Sequence, residues 1–157
     1  MEANLRPTDK VLEVGSGYST VWLAQRCGQV CSIEESMSWR EIVEIEIKRF
    51  ALENVRLMTG ESWEVFQDLF PHNEWDVVII DSPQDRLNIL LLSSKGIRPP
   101  RLIIYDDTDK TENQAVLSKE VPGYQAHTFR GFKPQTIHAC ETTVYIHKYF
   151  NAINAIP

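Results

Sequence analysis

Two glycines separated by one residue follow an apolar stretch near the start of the chain. The stretch VLEV at residues 11–14 leads directly into Gly15, Ser16 and Gly17. Glycine lets the backbone turn tightly and approach a ligand, and the first turn of a following helix offers free N–H groups. The side chain of Ser16 can donate into the same turn. These residues therefore form a candidate ligand-binding loop.

The residues around this turn distinguish it from a dinucleotide site. The dinucleotide fingerprint is GxGxxG, and Thr20 stands at its sixth position. Ser19 and Thr20 are instead candidates for the N-cap of the helix. Glu13 lies inside the end of the apolar strand, where a carboxylate is costly unless it has a partner. The amino group of a bound amino-acid moiety supplies one and NAD does not, so an NAD-linked oxidoreductase is the less favoured interpretation.

Acidic and hydroxyl residues also end the second and third apolar runs. Glu34 and Glu35 end the second run, and Glu34 lies 19 residues after Gly15. An acid at about this spacing, roughly 20 residues, accepts hydrogen bonds from ribose hydroxyls. Glu61 and Ser62 follow the third run, where they can meet the adenine amino group. This arrangement indicates a cofactor that contains adenosine.

Acids at the ends of the fourth and fifth runs are candidates for the chemical step. Asp81 ends the fourth run, and Asp106 and Asp107 end the fifth. Parallel strands place such residues at one edge of the sheet, so we expect them to meet. They can bind Mg²⁺ or another hard cation that holds an acceptor oxygen and lowers its pKa. Alternatively, Asp81 or Asp107 acts alone as general base or substrate anchor, or Asp81 and Asp109 merely cap the helices that follow them.

A loop at residues 130–138 supplies a further candidate. It contains Arg130, Lys133 and His138. If it folds over the cofactor, these side chains can contact an anionic acceptor, and His138 is then a candidate catalytic residue. The alternative is an ordinary solvated hairpin loop.

Short runs rich in Val, Ile and Leu predict the strands that position these residues. Most are continuous rather than alternating, as in strands buried on both faces of a parallel sheet. Strands are predicted at residues 10–14, 30–33, 55–58, 75–80, 102–105, 124–129 and 142–147. Helices are predicted at residues 19–26, 38–52, 63–70, 84–94 and 111–121.

Alternating strands and helices with right-handed crossovers predict an α/β fold. We expect a doubly wound, mostly parallel, Rossmann-like sheet of about seven strands, closed by an antiparallel strand pair at the C-terminus. The length of 157 residues suits one domain, predicted at residues 1–150 with a tail at 151–157.

Composition restricts the compartment and the partners. The net charge of −6 disfavours a nucleic-acid acceptor, because nucleic-acid binders usually present a basic field. Three cysteines form no CxxC pair and are expected to be reduced thiols, which fits a cytoplasmic protein. The first residues do not read as a signal peptide, and the apolar stretches are too short to span a membrane.

The motifs VLEVGSG, CSIEES, LMTGES, WDVVIIDSP and LIIYDD together resemble the successive motifs of class I S-adenosylmethionine-dependent methyltransferases. The resemblance extends from about residue 10 to residue 148. It implies that Glu13 lies near the methionine end of the cofactor, Glu34 holds the ribose, and Glu61 and Ser62 lie by the adenine. The predicted cofactor-binding residues are Glu13, Gly15, Ser16, Gly17, Ser19, Glu34, Glu35, Glu61, Ser62 and Asp81.

The resemblance implies methyl transfer from S-adenosylmethionine to a small-molecule acceptor, at oxygen. The chain looks most like small-molecule O-methyltransferases, whose metal-dependent members typically have Asp-Asn where Asp106 and Asp107 stand here. About nine residues precede the first strand, so the acceptor site is expected to be open or completed by another subunit. The alternative is therefore a non-catalytic cofactor-binding or partner domain. A homo-oligomer that pairs through the C-terminal strands is a further prediction.

Overall fold

The computed structural model describes residues 4–72, 74–110, 121–132 and 139–153. Seven strands form one sheet within these residues. In chain order the strands are Lys10–Val14 (β1), Gln29–Glu34 (β2), Val55–Thr59 (β3), Val77–Ile80 (β4), Leu102–Tyr105 (β5), Tyr124–Phe132 (β6) and Ala139–His147 (β7). The described helices are Tyr18–Ala24 (α1), Met37–Arg49 (α2), Ser62–Leu69 (α3), Arg86–Lys95 (α4) and Lys148–Ile153 (α5), and a 3₁₀ turn spans Phe70–His72.

The strands lie in the order β3-β2-β1-β4-β5-β7-β6. Strands β1 to β5 are parallel, whereas β7 runs antiparallel to both β5 and β6. This topology confirms the predicted α/β fold, with its mostly parallel sheet and its antiparallel closure at the C-terminus. The chain order reverses between β1 and β4, and open α/β sheets bind ligands at such a switch point.

The central strands are buried on both faces, as their continuous apolar runs predicted. Leu12 and Val14 pack on one face of the sheet together with Phe66 of α3. Val11 packs on the other face together with Leu23 of α1. This two-sided burial fixes the register of β1, so that Glu13 points toward the face that α1 covers.

The structure corrects several predicted boundaries. Helix α1 begins at Tyr18 with Gly17 as its N-cap, so Ser19 and Thr20 do not cap it. The reason is that the Thr20 hydroxyl accepts the N–H of Gly17 from inside the first turn. Strand β4 begins two residues later than predicted, and the two closing strands are longer than predicted. The predicted helix at residues 111–121 lies, except for its last residue, outside the described residues.

The C-terminal region differs from the predicted tail. Helix α5 extends to Ile153, so residues 151–153 are helical, and residues 154–157 lie outside the described part of the chain. Strand β6 forms an edge of the sheet, and its residues after Tyr124 are exposed. Pairing of this edge with a second copy stays a prediction. Among the described helices, none combines the length and apolarity that crossing a bilayer requires.

Candidate functional site

Four adjacent parallel strands bring the predicted cofactor residues to one edge of the sheet. From β3 across β2 and β1 to β4, the carboxyl ends lead into Gly60, Glu34, Gly15 and Asp81. The glycine turn therefore lies at the switch point, with the two acidic strand ends on either side of it. This is the position at which open α/β sheets bind ligands.

Gly15 is required by the geometry of this turn. Its φ of 96° lies in the left-handed region, and a Cβ atom there would lie 2.5 Å from the carbonyl oxygen of Asp81. A side chain at this position would be strained and would push the end of β4 away. The absence of a side chain thus lets the turn after β1 pack directly against the end of β4.

Glu13 is fully buried beneath the turn. Its Oε2 atom accepts hydrogen bonds from the hydroxyls of Thr20 and Ser32, the latter at 2.7 Å. Its Oε1 atom is buried without a hydrogen-bond partner among the described residues. Burial raises the pKa of Glu13 from 4.5 to about 7. This pKa already includes the lowering effect of nearby hydroxyls, among them that of Ser19, and the raising effect of the Asp81 carboxylate.

Glu34 is tied to the glycine turn. Its Oε2 atom accepts hydrogen bonds from the backbone N–H and the hydroxyl of Ser16, at 3.0 and 2.9 Å. Its Oε1 atom accepts the N–H of Ser36 at 2.8 Å. A carboxylate has about four acceptor positions, so these three bonds leave about one for a ribose hydroxyl. Glu34 thus braces Ser16, a role that spacing alone did not reveal.

Glu35 and the two residues predicted near the adenine, Glu61 and Ser62, have different surroundings. The carboxylate of Glu35 accepts the backbone N–H of Ser62 at 3.1 Å and so holds the start of α3. Glu61 is the N-cap residue of α3, although its side chain makes no capping hydrogen bond. The hydroxyl of Ser62 is buried without a partner among the described residues.

The acids that follow β4 and β5 meet as predicted from the strand order. One carboxylate oxygen from each of Asp81, Asp106 and Asp107 lies within 4.8 Å of the other two. Asp81 is half-exposed, and the hydroxyl of Thr142 donates to Asp106. Asp107 has a φ of 54°, and a non-glycine residue held in this region is frequent at functional sites.

Asp81 is not the N-cap residue of the helix that follows β4, and the segment that Asp109 was predicted to cap lies, apart from Lys110, outside the described residues. The N-cap residue of α4 is Asp85, and its side chain accepts a hydrogen bond from Asn88 rather than from the backbone. Asp109 accepts the backbone N–H of Glu141 at 2.9 Å and so links the segment after β5 to β7.

Two basic residues that the sequence analysis did not single out complete this cluster. Arg86 is 9 % exposed, and its Nη2 atom lies 3.3 Å from Asp81 Oδ1 and 3.7 Å from Asp107 Oδ2. Lys110 Nζ lies 2.6 Å from the same Asp107 oxygen. A cation in the first turn of a helix opposes the helix dipole, and this unfavourable position was the one signal that could have identified Arg86.

The remaining candidate residues are only partly described. Arg130 is exposed in β6. Lys133 and His138 lie outside the described residues, so the predicted catalytic role of His138 stays a prediction.

The sheet order, the glycine turn after β1 and the acid after β2 define the fold of class I S-adenosylmethionine-dependent methyltransferases. Solved structures show the same fold. The O-methyltransferase from Bacillus cereus in complex with SAH superposes with a TM-score of 0.69 and 21 % identity, over 89 % of this chain and 74 % of that one. An rRNA methylase from Streptococcus thermophilus superposes with a TM-score of 0.67 and 14 % identity, over 93 % and 90 %.

A sequence model of the protein-L-isoaspartate(D-aspartate) O-methyltransferase family matches residues 1–85, more than half of the chain. The chain therefore belongs to this family. The protein-L-isoaspartate O-methyltransferase of Ectopseudomonas mendocina is 28 % identical over 123 residues, which cover 77 % of this chain and 56 % of that protein. The corresponding protein of Pseudomonas paraeruginosa is 36 % identical over 97 residues, which cover 59 % and 46 %. The chain spans about half the length of the curated relatives it matches.

Proposed function

We propose that the chain binds S-adenosylmethionine at the carboxyl ends of β1, β2 and β3 and transfers its methyl group to an oxygen atom of an acceptor. The observation that carries this proposal is the placement of the glycine turn at the switch point, with Glu34 bound to it from the neighbouring strand. Glu13 supports it, because a buried carboxylate with a raised pKa is stabilised by a cationic group, such as an ammonium.

The protein's part in this reaction is mainly alignment. The methyl group of a sulfonium is already activated, so catalysis requires a correctly placed acceptor and, for a hydroxyl acceptor, removal of a proton. Asp81 is the residue we assign to this step, because its carboxylate is half-exposed and its backbone packs against Gly15 of the glycine turn. A carboxylate acceptor is already ionised at neutral pH and would need no base.

Two acceptor classes follow from these features. The sequence motifs favour a small molecule methylated at oxygen. The names of the relatives point instead to the carboxyl group of an L-isoaspartyl residue in a protein or peptide. Nucleic acid is the least favoured class, because the net charge of the chain is −6.

A non-catalytic domain that binds the cofactor is the second candidate function. It is favoured by the contacts of Arg86, whose guanidinium pairs with the carboxylates of Asp81 and Asp107, two of the residues predicted for catalysis. A turnover assay separates the two candidates. Methyl-labelled S-adenosylmethionine is incubated with an isoaspartyl peptide or with a panel of small hydroxyl compounds and carboxylates.

Label transfer to either acceptor class that the surface variant Glu44→Gln retains supports the enzyme, and for a hydroxyl acceptor we expect the transfer to be lost in Asp81→Asn. Cofactor binding without label transfer supports the second candidate. A divalent cation at Asp81, Asp106 and Asp107 is a prediction that the same assay tests by adding a chelator.

A further inference from the structure

Three carboxylates that lie this close together favour the binding of a balancing positive charge. Like charges a few ångströms apart raise each other's pKa or attract a cation. In metal-dependent sites, a divalent ion supplies this charge through oxygen ligands. Here the described residues supply it from Arg86 and Lys110, which both contact the carboxylate of Asp107.

The guanidinium of Arg86 is fixed from both strand ends. Its Nε atom donates to the carbonyl oxygen of Ser82, just after β4. Its Nη1 atom donates to the carbonyl oxygen of Asp106, just after β5, at 2.7 Å. Its Nη2 atom contacts the side chains of Asp81 and Asp107. Because five N–H donors lie in one rigid plane, these contacts fix both the place and the orientation of the group.

We propose that Arg86 takes the place of a divalent cation among Asp81, Asp106 and Asp107, and that it positions the carboxylate of Asp81 toward the acceptor. The second part rests on the proposed function, because it assumes that an acceptor binds beside Asp81. The first part concerns the cluster alone and is testable without cofactor or acceptor.

A divalent ion does not fit beside this arginine. Mg²⁺ binds carboxylate oxygens at about 2.1 Å in near-octahedral geometry and would lie within a few ångströms of Nη2. The two cations would repel each other strongly in a partly buried site. Arg86 cannot easily move away, since it would lose its hydrogen bonds to two backbone carbonyls.

Titration of the cofactor-free protein with Mn²⁺, with the free ion followed by electron paramagnetic resonance, tests the first part. We expect the wild-type chain to bind Mn²⁺ with a dissociation constant above about 1 mM, which is weaker than the carboxylate-based cation sites of proteins. Tighter binding that Asp107→Asn abolishes would overturn the proposal. This measurement needs no variant of Arg86 and therefore stands even if such variants do not fold.

Two substitutions of Arg86 sharpen the test. Arg86→Met removes the charge, and we expect the folded variant to bind Mn²⁺ at least about tenfold more tightly. Arg86→Lys keeps a positive charge and is expected to bind Mn²⁺ as weakly as the wild type. A folded Arg86→Met variant with unchanged Mn²⁺ affinity would overturn the proposal. A purely structural role for Arg86 would lower the thermal stability of both variants without changing their Mn²⁺ affinity.

The positioning role is tested by methyl transfer, once an acceptor is known. We expect Arg86→Lys to lower kcat about tenfold or more while the affinity for S-adenosylhomocysteine changes less than about twofold. An unchanged kcat would overturn the positioning role. A wild-type chain that does not bind S-adenosylhomocysteine would instead contradict the proposed function. The failure of the positioning role and the failure of the proposed function are therefore distinguishable.

Discussion

The two halves of the carboxyl edge balance their acidic side chains in different ways. At the ends of β1 and β2, the carboxylates of Glu13 and Glu34 are held by hydroxyl groups and backbone N–H groups. At the ends of β4 and β5, the carboxylates of Asp81 and Asp107 are held by the cations of Arg86 and Lys110. Neutral donors orient a carboxylate without cancelling its charge, whereas cations cancel it.

This difference separates the half of the edge that we propose to bind the cofactor from the half whose acids are paired with cations. The first half keeps an acidic character next to the glycine turn, which suits a cofactor that carries ammonium and sulfonium groups. In the second half, ion pairs with Arg86 connect the acids at the ends of β4 and β5. These pairs leave little net charge to attract a metal. Each substitution below either breaks this contrast or measures its size.

The largest effect is expected from Arg86→Met. The change removes the cation that two carboxylates and two backbone carbonyls share, and breaking a buried ion pair costs about 3–5 kcal/mol. We expect a loss of stability near the lower end of this range, because Asp81 is half-exposed. Chemical denaturation measures it, with Arg49→Met as control, since the side chain of Arg49 is 70 % exposed. Equal losses of stability in Arg86→Met and Arg49→Met would show that Arg86 does not hold the ends of β4 and β5 together.

The next effect concerns the pH dependence of Glu13. Its pKa is raised to about 7 in the folded chain, so the stability it contributes is present below its unfolded pKa of 4.5. That contribution is lost as the pH rises through 7, and the full loss is of order 3 kcal/mol. We expect the wild type to lose stability relative to Glu13→Gln between pH 5 and pH 8. Denaturation at both pH values checks this, and parallel curves for the two proteins would contradict it.

A smaller effect is expected where the two halves touch. Gly15→Ala introduces a Cβ against the Asp81 carbonyl at a positive φ, and such strain costs about 1–3 kcal/mol. Gly131→Ala is the matched control, because a Cβ at that position meets nothing within 4 Å. Thermal unfolding of both variants measures the loss of stability. Titration with S-adenosylhomocysteine measures whether the affinity for the cofactor falls with it. If Gly15→Ala is as stable as the control, the turn does not depend on close packing against β4.

The smallest effect is expected from Lys110→Met. Lys110 contacts Asp107 as Arg86 does, but its side chain is half-exposed and screened by water. Exposed ion pairs contribute about 0–1 kcal/mol to stability, so the free energy of unfolding of the variant should fall by no more than about 1 kcal/mol. Denaturation at low and high salt checks this expectation. A loss of stability as large as that of Arg86→Met would mean that the greater exposure of Lys110 does not weaken its ion pair with Asp107.

Those features that depend on local pattern and strand order could be predicted from the sequence. Continuous apolar runs identified β1 and β5 at their observed bounds. The expected parallel order of β4 and β5 placed Asp81 near Asp106 and Asp107. The spacing from Gly15 to Glu34 correctly placed both at one edge of the sheet.

The features that escaped prediction depend on side-chain contacts between elements. Nothing in the spacing showed that Arg86 would turn back from α4 to contact two strand ends, or that Glu34 would bind Ser16. The start of α1 was misplaced because the Thr20 hydroxyl acts from inside the helix and not from the capping position. Tertiary contacts of this kind cannot be predicted from the residue pattern of a single segment.

Calorimetric titration with S-adenosylhomocysteine and with NAD tests the central claim most directly. We predict that the wild type binds S-adenosylhomocysteine and not NAD, and that Glu34→Gln weakens the affinity about tenfold, or about 1.4 kcal/mol. Glu44→Gln on the exposed side of α2 is the matched control and should leave the affinity unchanged. Binding of NAD in preference to S-adenosylhomocysteine, or equal affinity in the Glu34 and Glu44 variants, would contradict a cofactor site at the carboxyl ends of β1 and β2.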